Sequence, residues 1–221
     1  MKRKDSRTRA IGYVFGVMVV VTALAKTPPP SIPEAISEGK SSWRAASKPS
    51  EGLAMGKLRI QFEQTALSQI QGAVKAGIIQ QQGDAAESVY WLCYTALADS
   101  YNVRIWIEAS GEMGGPDHQV TSIAVQRIAG SRLPPDCPNL PKQFLPLSLN
   151  NDVWLGASKE VVEKAFPSGL LQSGEHAFIG YKGKEPGDGS CDGGYDLLNS
   201  LYLSFQGGVV VAINAGQVAS C

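Results

Sequence analysis

Four cysteines, Cys93, Cys137, Cys191 and Cys221, carry the most definite chemistry in the 221-residue sequence. None stands in a C-x-x-C pair, so the spacing predicts neither a zinc ribbon nor a thioredoxin-like redox motif. An even number of thiols in an oxidising compartment reads instead as two disulfides. Four cysteines allow three pairings, and spacing alone does not choose among them. The two histidines, His118 and His176, follow the polar stretches Gly114-Gly115-Pro116-Asp117 and Gln172-Ser173-Gly174-Glu175. Both read as solvated loop side chains without the convergent partners that catalysis or metal binding needs. The segment from Gly187 to Gly194 places Asp188 and Asp192 among glycines around Cys191. Its spacing fits neither an EF-hand nor a repeated calcium array, so it reads as a loop tied down by the cysteine. No G-x-S-x-G elbow, H-E-x-x-H pair or G-x-x-x-x-G-K-[ST] phosphate loop occurs. These patterns predict no catalytic residue, no metal and no cofactor.

A second group of side chains suits recognition rather than catalysis. Tyr90, Trp91 and Tyr94 crowd one strand-like run, and Trp106 stands on the polar side of the next. Exposed Trp and Tyr anchor protein interfaces, so these four are the candidate interface residues. The competing reading is that they cover a helix or a neighbouring part of the chain, as most buried aromatics do.

The elements that hold these residues begin after an export signal. Met1 to Arg9 carries five basic residues against Asp5, and the apolar run Ala10–Ala25 ends in the small-x-small site Ala23-Leu24-Ala25. That layout predicts a signal peptide over 1–25. The run has 16 residues, short for a membrane helix of about 20. An uncleaved anchor is the alternative, with Gly12 and Gly16 at a helix-packing spacing. The whole chain holds 20 basic and 20 acidic residues; beyond residue 25 there remain 15 and 19. A mildly acidic mature chain has no electrostatic footprint for nucleic acid. It has no polybasic patch for lipid either, so membrane contact is expected only if the N-terminal segment stays uncleaved.

Residues 26–57 are rich in Pro, Ser, Lys and Glu and read as a flexible tether. Beyond them the chain matches itself at an offset of 92. Gly77-Ile78-Ile79-Gln80 falls on Gly169-Leu170-Leu171-Gln172, and Ile70, Ala73 and Val74 fall on Val162, Ala165 and Phe166. Each segment predicts a short amphipathic helix, capped by Thr65 and stopped at Gly77 in the first copy. In the second copy Ser158 is the cap and Pro167-Gly169 the stop. A strand-like run follows each helix, Ser88–Tyr94 and Ala177–Tyr181. Alternating runs around glycine turns then predict hairpins: Val103–Ile107 with Val120–Ile128, and Leu201–Phe205 with Val209–Ile213. The expected fold class is α+β, with two similar units, each a short helical segment packed on a small antiparallel sheet. The units span 58–132 and 153–221, joined by a stiff proline-rich linker over 133–152. If each unit closes on itself, the cysteines pair locally, Cys93 with Cys137 and Cys191 with Cys221.

The second copy resembles the SmpA/BamE family of small bacterial outer-membrane lipoproteins. The likeness rests on Leu155-Gly156-Ala157-Ser158-Lys159-Glu160-Val161, Phe166-Pro167-Ser168-Gly169, Phe178–Tyr181 and Leu201–Val209. It covers about 60 residues at the scale of the repeat, and the first copy matches more loosely. Two such units, each with a disulfide, are similar to the secreted beta-lactamase inhibitor proteins. The lipid-attachment cysteine of the lipoproteins is absent. The resemblance implies non-catalytic binding of another protein, periplasmic or secreted, with inhibitor-like binding as one form. An envelope assembly factor for an outer-membrane complex is the alternative, and an unrecognised hydrolase a third. Cleavage is expected after Ala25, and mass spectrometry of the exported protein checks it; an intact Met1 terminus would establish the anchor instead.

Overall fold

A computed structural model describes residues 26–31, 43–84, 88–98, 101–110, 117–129, 136–149, 153–186 and 193–220. Eleven strands and two short α-helices are assigned among these residues. A three-stranded sheet uses β1 (Gly52–Met55), β2 (Leu58–Gln61) and β7 (Leu147–Leu149) in the order β2-β1-β7. The large sheet has eight antiparallel strands. Four come from the first half of the chain: β3 (Gln80–Gln82), β4 (Val89–Ala98), β5 (Tyr101–Ser110) and β6 (Ser122–Ile128). Four come from the second: β8 (Leu170–Ser173), β9 (His176–Glu185), β10 (Tyr195–Gln206) and β11 (Val209–Ser220). Helix α1 (Leu67–Val74) precedes the first set and α2 (Lys159–Ala165) the second.

The same element order therefore occurs twice, but the expected pair of α+β units does not form. The protein is mostly β, and its two sets of strands make one sheet in the order β3-β4-β5-β6-β11-β10-β9-β8. The seam is the antiparallel pairing of β6 with β11, from Gln126 opposite Ala212 to Ser122 opposite Gly216. Each strand would otherwise end its set as an open edge with unpaired backbone groups. Pairing the two edges satisfies both ladders. It also joins Ile123 and Val125 of β6 to Ile213 and Ala215 of β11 in one buried surface. The helices, 8 and 7 residues long, are too short to cover a sheet of this width.

The three-stranded sheet supplies the missing cover, and two of its strands, β1 and β7, come from segments expected to lie outside the folded units. β1 belongs to the stretch read as a flexible tether, yet Leu53 and Met55 are buried in the main core with Ile60, Phe62, Phe144, Leu147 and Leu149. Ser50 is fully buried, and the Asn199 amide holds it from both sides. Its N–H donates to Asn199 Oδ1 at 3.3 Å and its carbonyl accepts from Asn199 Nδ2 at 2.6 Å. The described part of 43–57 is thus a layer of the core. The proline-rich stretch is equally integral: it forms β7 and runs beside β4, where the Thr95 N–H donates to the Pro138 carbonyl and the Leu140 N–H to the Thr95 carbonyl.

Local start and stop signals fared unevenly. Ser158 does stand at the N-cap of α2, with Glu160 in its first turn. Ala66, not Thr65, caps α1; the Thr65 hydroxyl accepts from the Gln61 N–H, and Gln69 Oε1 accepts from the Ala66 N–H. The left-handed residue that ends α1 is Lys75, at φ 57°. Gly77, at φ 83°, leaves room for the Tyr94 ring, which a Cβ would approach to 3.1 Å.

Cys93 and Cys137 form a disulfide across 44 positions of chain. Cys191 and Cys221 lie outside the described residues. Closing a loop of that length restricts the unfolded chain by about 4 kcal/mol in the chain-entropy treatment. Replacing both Cys93 and Cys137 by Ala is expected to lower stability on that scale, read as the urea midpoint. An unchanged midpoint, or peptide mapping that links Cys93 elsewhere, would contradict it.

Candidate functional site

Alternation along the large sheet sorts its side chains onto two faces. Leu92, Tyr94, Val103, Ile105, Ile107, Leu201 and Leu203 point at the three-stranded sheet and the helices and form the core face. The outer face carries Trp91 and Cys93 of β4, Trp106 and Glu108 of β5, Ser122 and Ala124 of β6, Asn214, Gly216 and Val218 of β11, and Leu198, Ser200 and Tyr202 of β10.

Of the aromatic residues expected at an interface, Tyr94 is fully buried on the core face, its hydroxyl donating to the Ala76 carbonyl at 3.0 Å. Burial pushes its pKa upward. Tyr90 is half-buried and packs on the same side. Trp91 and Trp106 do stand on the outer face, but they are buried with Cys93, Ala124 and Cys137 in a second small cluster. The disulfide brings the chain around Cys137 over them. The preceding residue, Asp136, holds Thr27: the Thr27 N–H donates to the carboxylate and its hydroxyl donates to Oδ1 at 2.8 Å. Trp106 Nε1 donates to the Thr27 carbonyl at 3.1 Å. Gln80 Nε2 donates to the Asp136 carbonyl at 3.3 Å and to its carboxylate at 3.2 Å. The two tryptophans are therefore covered by the chain's own segments and present little surface to a partner.

The accessible part of the outer face lies at the seam. Glu108 is opposite Ser122, Ser122 opposite Gly216, Gly216 opposite Ser200, and Ser200 opposite Gly180. This row crosses five strands with only hydroxymethyl groups and hydrogens beyond Glu108, so it forms the floor of a trough. Pro30 and Ser31 line it from above, together with Trp43, whose ring packs edge-on against Phe178 at 5.4 Å. The Ala45 N–H donates to the Gly180 carbonyl at 2.9 Å, which places this segment at the far end of the row. Leu198 and Val218 are opposite each other beside the row and are 36 % and 54 % exposed. The trough is open to one side and offers about 440 Å³.

Glu108 is the charged group of this trough. Burial raises its pKa to about 7, and a hydrogen bond from Ser122 works in the opposite direction. Its Oε1 is shielded from solvent and has no hydrogen-bond partner among the described residues. Sequence inspection places Glu108 on the polar side of β5, but β6, β11 and the N-terminal segment that enclose it are distant in the chain.

His176 is not a loop residue, as its glycine-rich approach suggested; it is the first residue of β9. Its ring stacks on Tyr202 at 5.5 Å, with Nδ1 2.6 Å from the Tyr202 hydroxyl and 3.3 Å from Ser204 Oγ. One ring nitrogen offers either a proton or a lone pair, so it serves one hydroxyl fully, and the shorter distance gives it to Tyr202. Burial raises the Tyr202 pKa, which leaves the phenol protonated and this contact structural at neutral pH. His118 is half-buried outside any strand, beside Asp117, which accepts a hydrogen bond from Ser68 Oγ at 2.7 Å. The Asp188–Asp192 loop lies outside the described residues.

No protein-family model, curated protein or solved structure matches the chain. The Cys93–Cys137 disulfide is compatible with an exported protein, and among the described residues no helix is long and apolar enough to cross a membrane.

The raised pKa of Glu108 ties stability to pH. The folded state holds its proton up to about pH 7 and the unfolded chain releases it near 4.5. Between those values the folded state binds more protons, so stability falls as pH rises, by about 3 kcal/mol at most. Glu108→Gln should therefore gain stability relative to the parent between pH 5 and pH 8 in urea titrations. A difference that stays constant over that range would refute it.

Proposed function

We propose that this chain is an exported, non-catalytic protein-binding module that takes its partner on the outer face of the eight-stranded sheet. The observation that carries this reading is the trough at the seam, with the exposed apolar pair Leu198 and Val218 along one side and Glu108 in its floor. Aliphatic side chains exposed side by side on a rigid sheet, next to small residues that leave a groove, suit the apolar centre and polar rim of a protein interface. The backbone of this surface is held by continuous strand pairing on both sides of the seam, so little ordering cost attends binding. The resemblance of the second half to envelope recognition modules runs in the same direction.

A photo-crosslinking residue at Val218 or Leu198, in the full exported chain in its native envelope, tests the reading. The same residue at Lys164, exposed on α2, serves as the reference position. Discrete protein adducts from 198 and 218 that are absent from 164 are expected. No adduct, or the same adducts from all three positions, would overturn the proposal.

A further inference from the structure

The trough contains a feature that a merely apolar docking groove would not. Glu108 is flanked by Trp91, Ser122 and the N-terminal segment, and among the described residues its Oε1 has no hydrogen-bond partner. A carboxylate oxygen removed from water without a partner costs the fold its full desolvation, and such groups are ordinarily paired. The described residues around the trough are otherwise neutral: Pro30, Ser31, Trp43, Ser122, Ser200 and Asn214 contribute hydroxyls, an amide and an aromatic ring, and none of the described lining residues is basic. Leu198 and Val218 form an apolar side on the way in.

Each part matches a portion of a long basic side chain. The aliphatic stem suits Leu198 and Val218, because Lys and Arg lay their methylenes along apolar surface. The cationic head suits the carboxylate, whose Oε1 has no partner among the described residues, supported by neutral oxygen acceptors. Trp43 provides an indole on which a cation is favoured. The space, about 440 Å³, falls in the range of small-ligand pockets, roughly 300–1,000 Å³. That accommodates one side chain with part of the backbone that carries it.

We propose that the trough is a receptor for a single lysine or arginine side chain of the partner protein, with Glu108 as its counter-charge. This rests on the outer face being the binding surface and names the chemistry of what it takes. Binding brings the missing donor to Oε1 and offsets a cost that the free protein carries, so affinity depends on charge and not only on apolar area.

Charge dependence can be read directly with small probes. The mature chain is titrated at pH 8 with n-butylguanidinium and, separately, with n-butylurea, which has the same outline without the charge. Saturable NMR shifts are expected at the Trp43 indole N–H and at the Ser122 and Gly216 amides for the cation. The urea should bind at least tenfold more weakly. Glu108→Gln, which keeps the shape, should abolish the preference while leaving the amide spectrum otherwise native. Equal binding of the two probes, no saturable shift, or a preference that survives Glu108→Gln would overturn the inference. The crosslinking at Leu198 and Val218 separates the two claims. Adducts that persist without any preference for the cation would leave a protein-binding face that does not use Glu108. A clear preference without adducts would leave a cation receptor and remove the protein partner.

Discussion

The pairing of β6 with β11 is the constraint on which the other features depend. Each set of strands, taken alone, ends in an edge whose core side is apolar and whose backbone groups lack partners. Edge-to-edge pairing removes both liabilities and produces a sheet eight strands wide. A sheet of that width needs more cover than two short helices provide. The chain before α1 and the proline-rich stretch between the two sets meet that need as a three-stranded sheet on the core face. The trough exists for the same reason. Its floor passes from Glu108 and Ser122 on one side of the seam to Gly216 and Ser200 on the other, so neither set of strands contains it alone.

The two faces of the sheet are stabilised differently. On the core face a continuous apolar cluster runs from Leu53 to Ala215, supplemented by a buried polar chain. Asn199 Nδ2 donates to Gln217 Oε1, Gln217 Nε2 donates to Glu63 Oε2, and the Ala219 N–H donates to Glu63 Oε1. The first link crosses the β10–β11 hairpin and the two to Glu63 join segments more than 150 positions apart; satisfied buried networks of this kind favour one arrangement of the layers over slipped alternatives. The outer face is held at one side by the disulfide and the Asp136–Thr27 bonds, and at the other by the Trp43 and Ala45 contacts with β9. Between them lies the region of small side chains. A residue with a longer side chain at Ser122, Gly216 or Ser200 would fill that space and give Glu108 a neighbour. With small residues there, Glu108 Oε1 remains shielded and without a hydrogen-bond partner among the described residues.

Much of the element order was readable from the chain. The match at an offset of 92 located both helices, the Gly207-Gly208 turn located the β10–β11 hairpin, and period-two alternation put Trp106 and Glu108 on the opposite face of β5 from Val103, Ile105 and Ile107. These are signals written within a few residues of one another, and local turn and helix geometry responds to local sequence. The pairing of Cys93 with Cys137 was also readable, because the two bracket the first copy of the repeat, from its first strand to the linker after its last. The burial of Leu53 and Met55 was not. A four-residue strand amid Pro, Ser, Lys and Glu carries too short an apolar pattern to stand out from a tether, and its place as the central strand of β2-β1-β7 depends on β7, almost a hundred residues later. The seam between β6 and β11 was hidden for the same reason, since two open edges leave no mark in either strand that names the other. Glu108 shows the division most clearly. Its position on the polar side of β5 followed from alternation alone, whereas its enclosure, its raised pKa and its unpaired oxygen arise only when distant strands and the N-terminal segment close around it, because desolvation depends on everything nearby in space and not on neighbours in sequence.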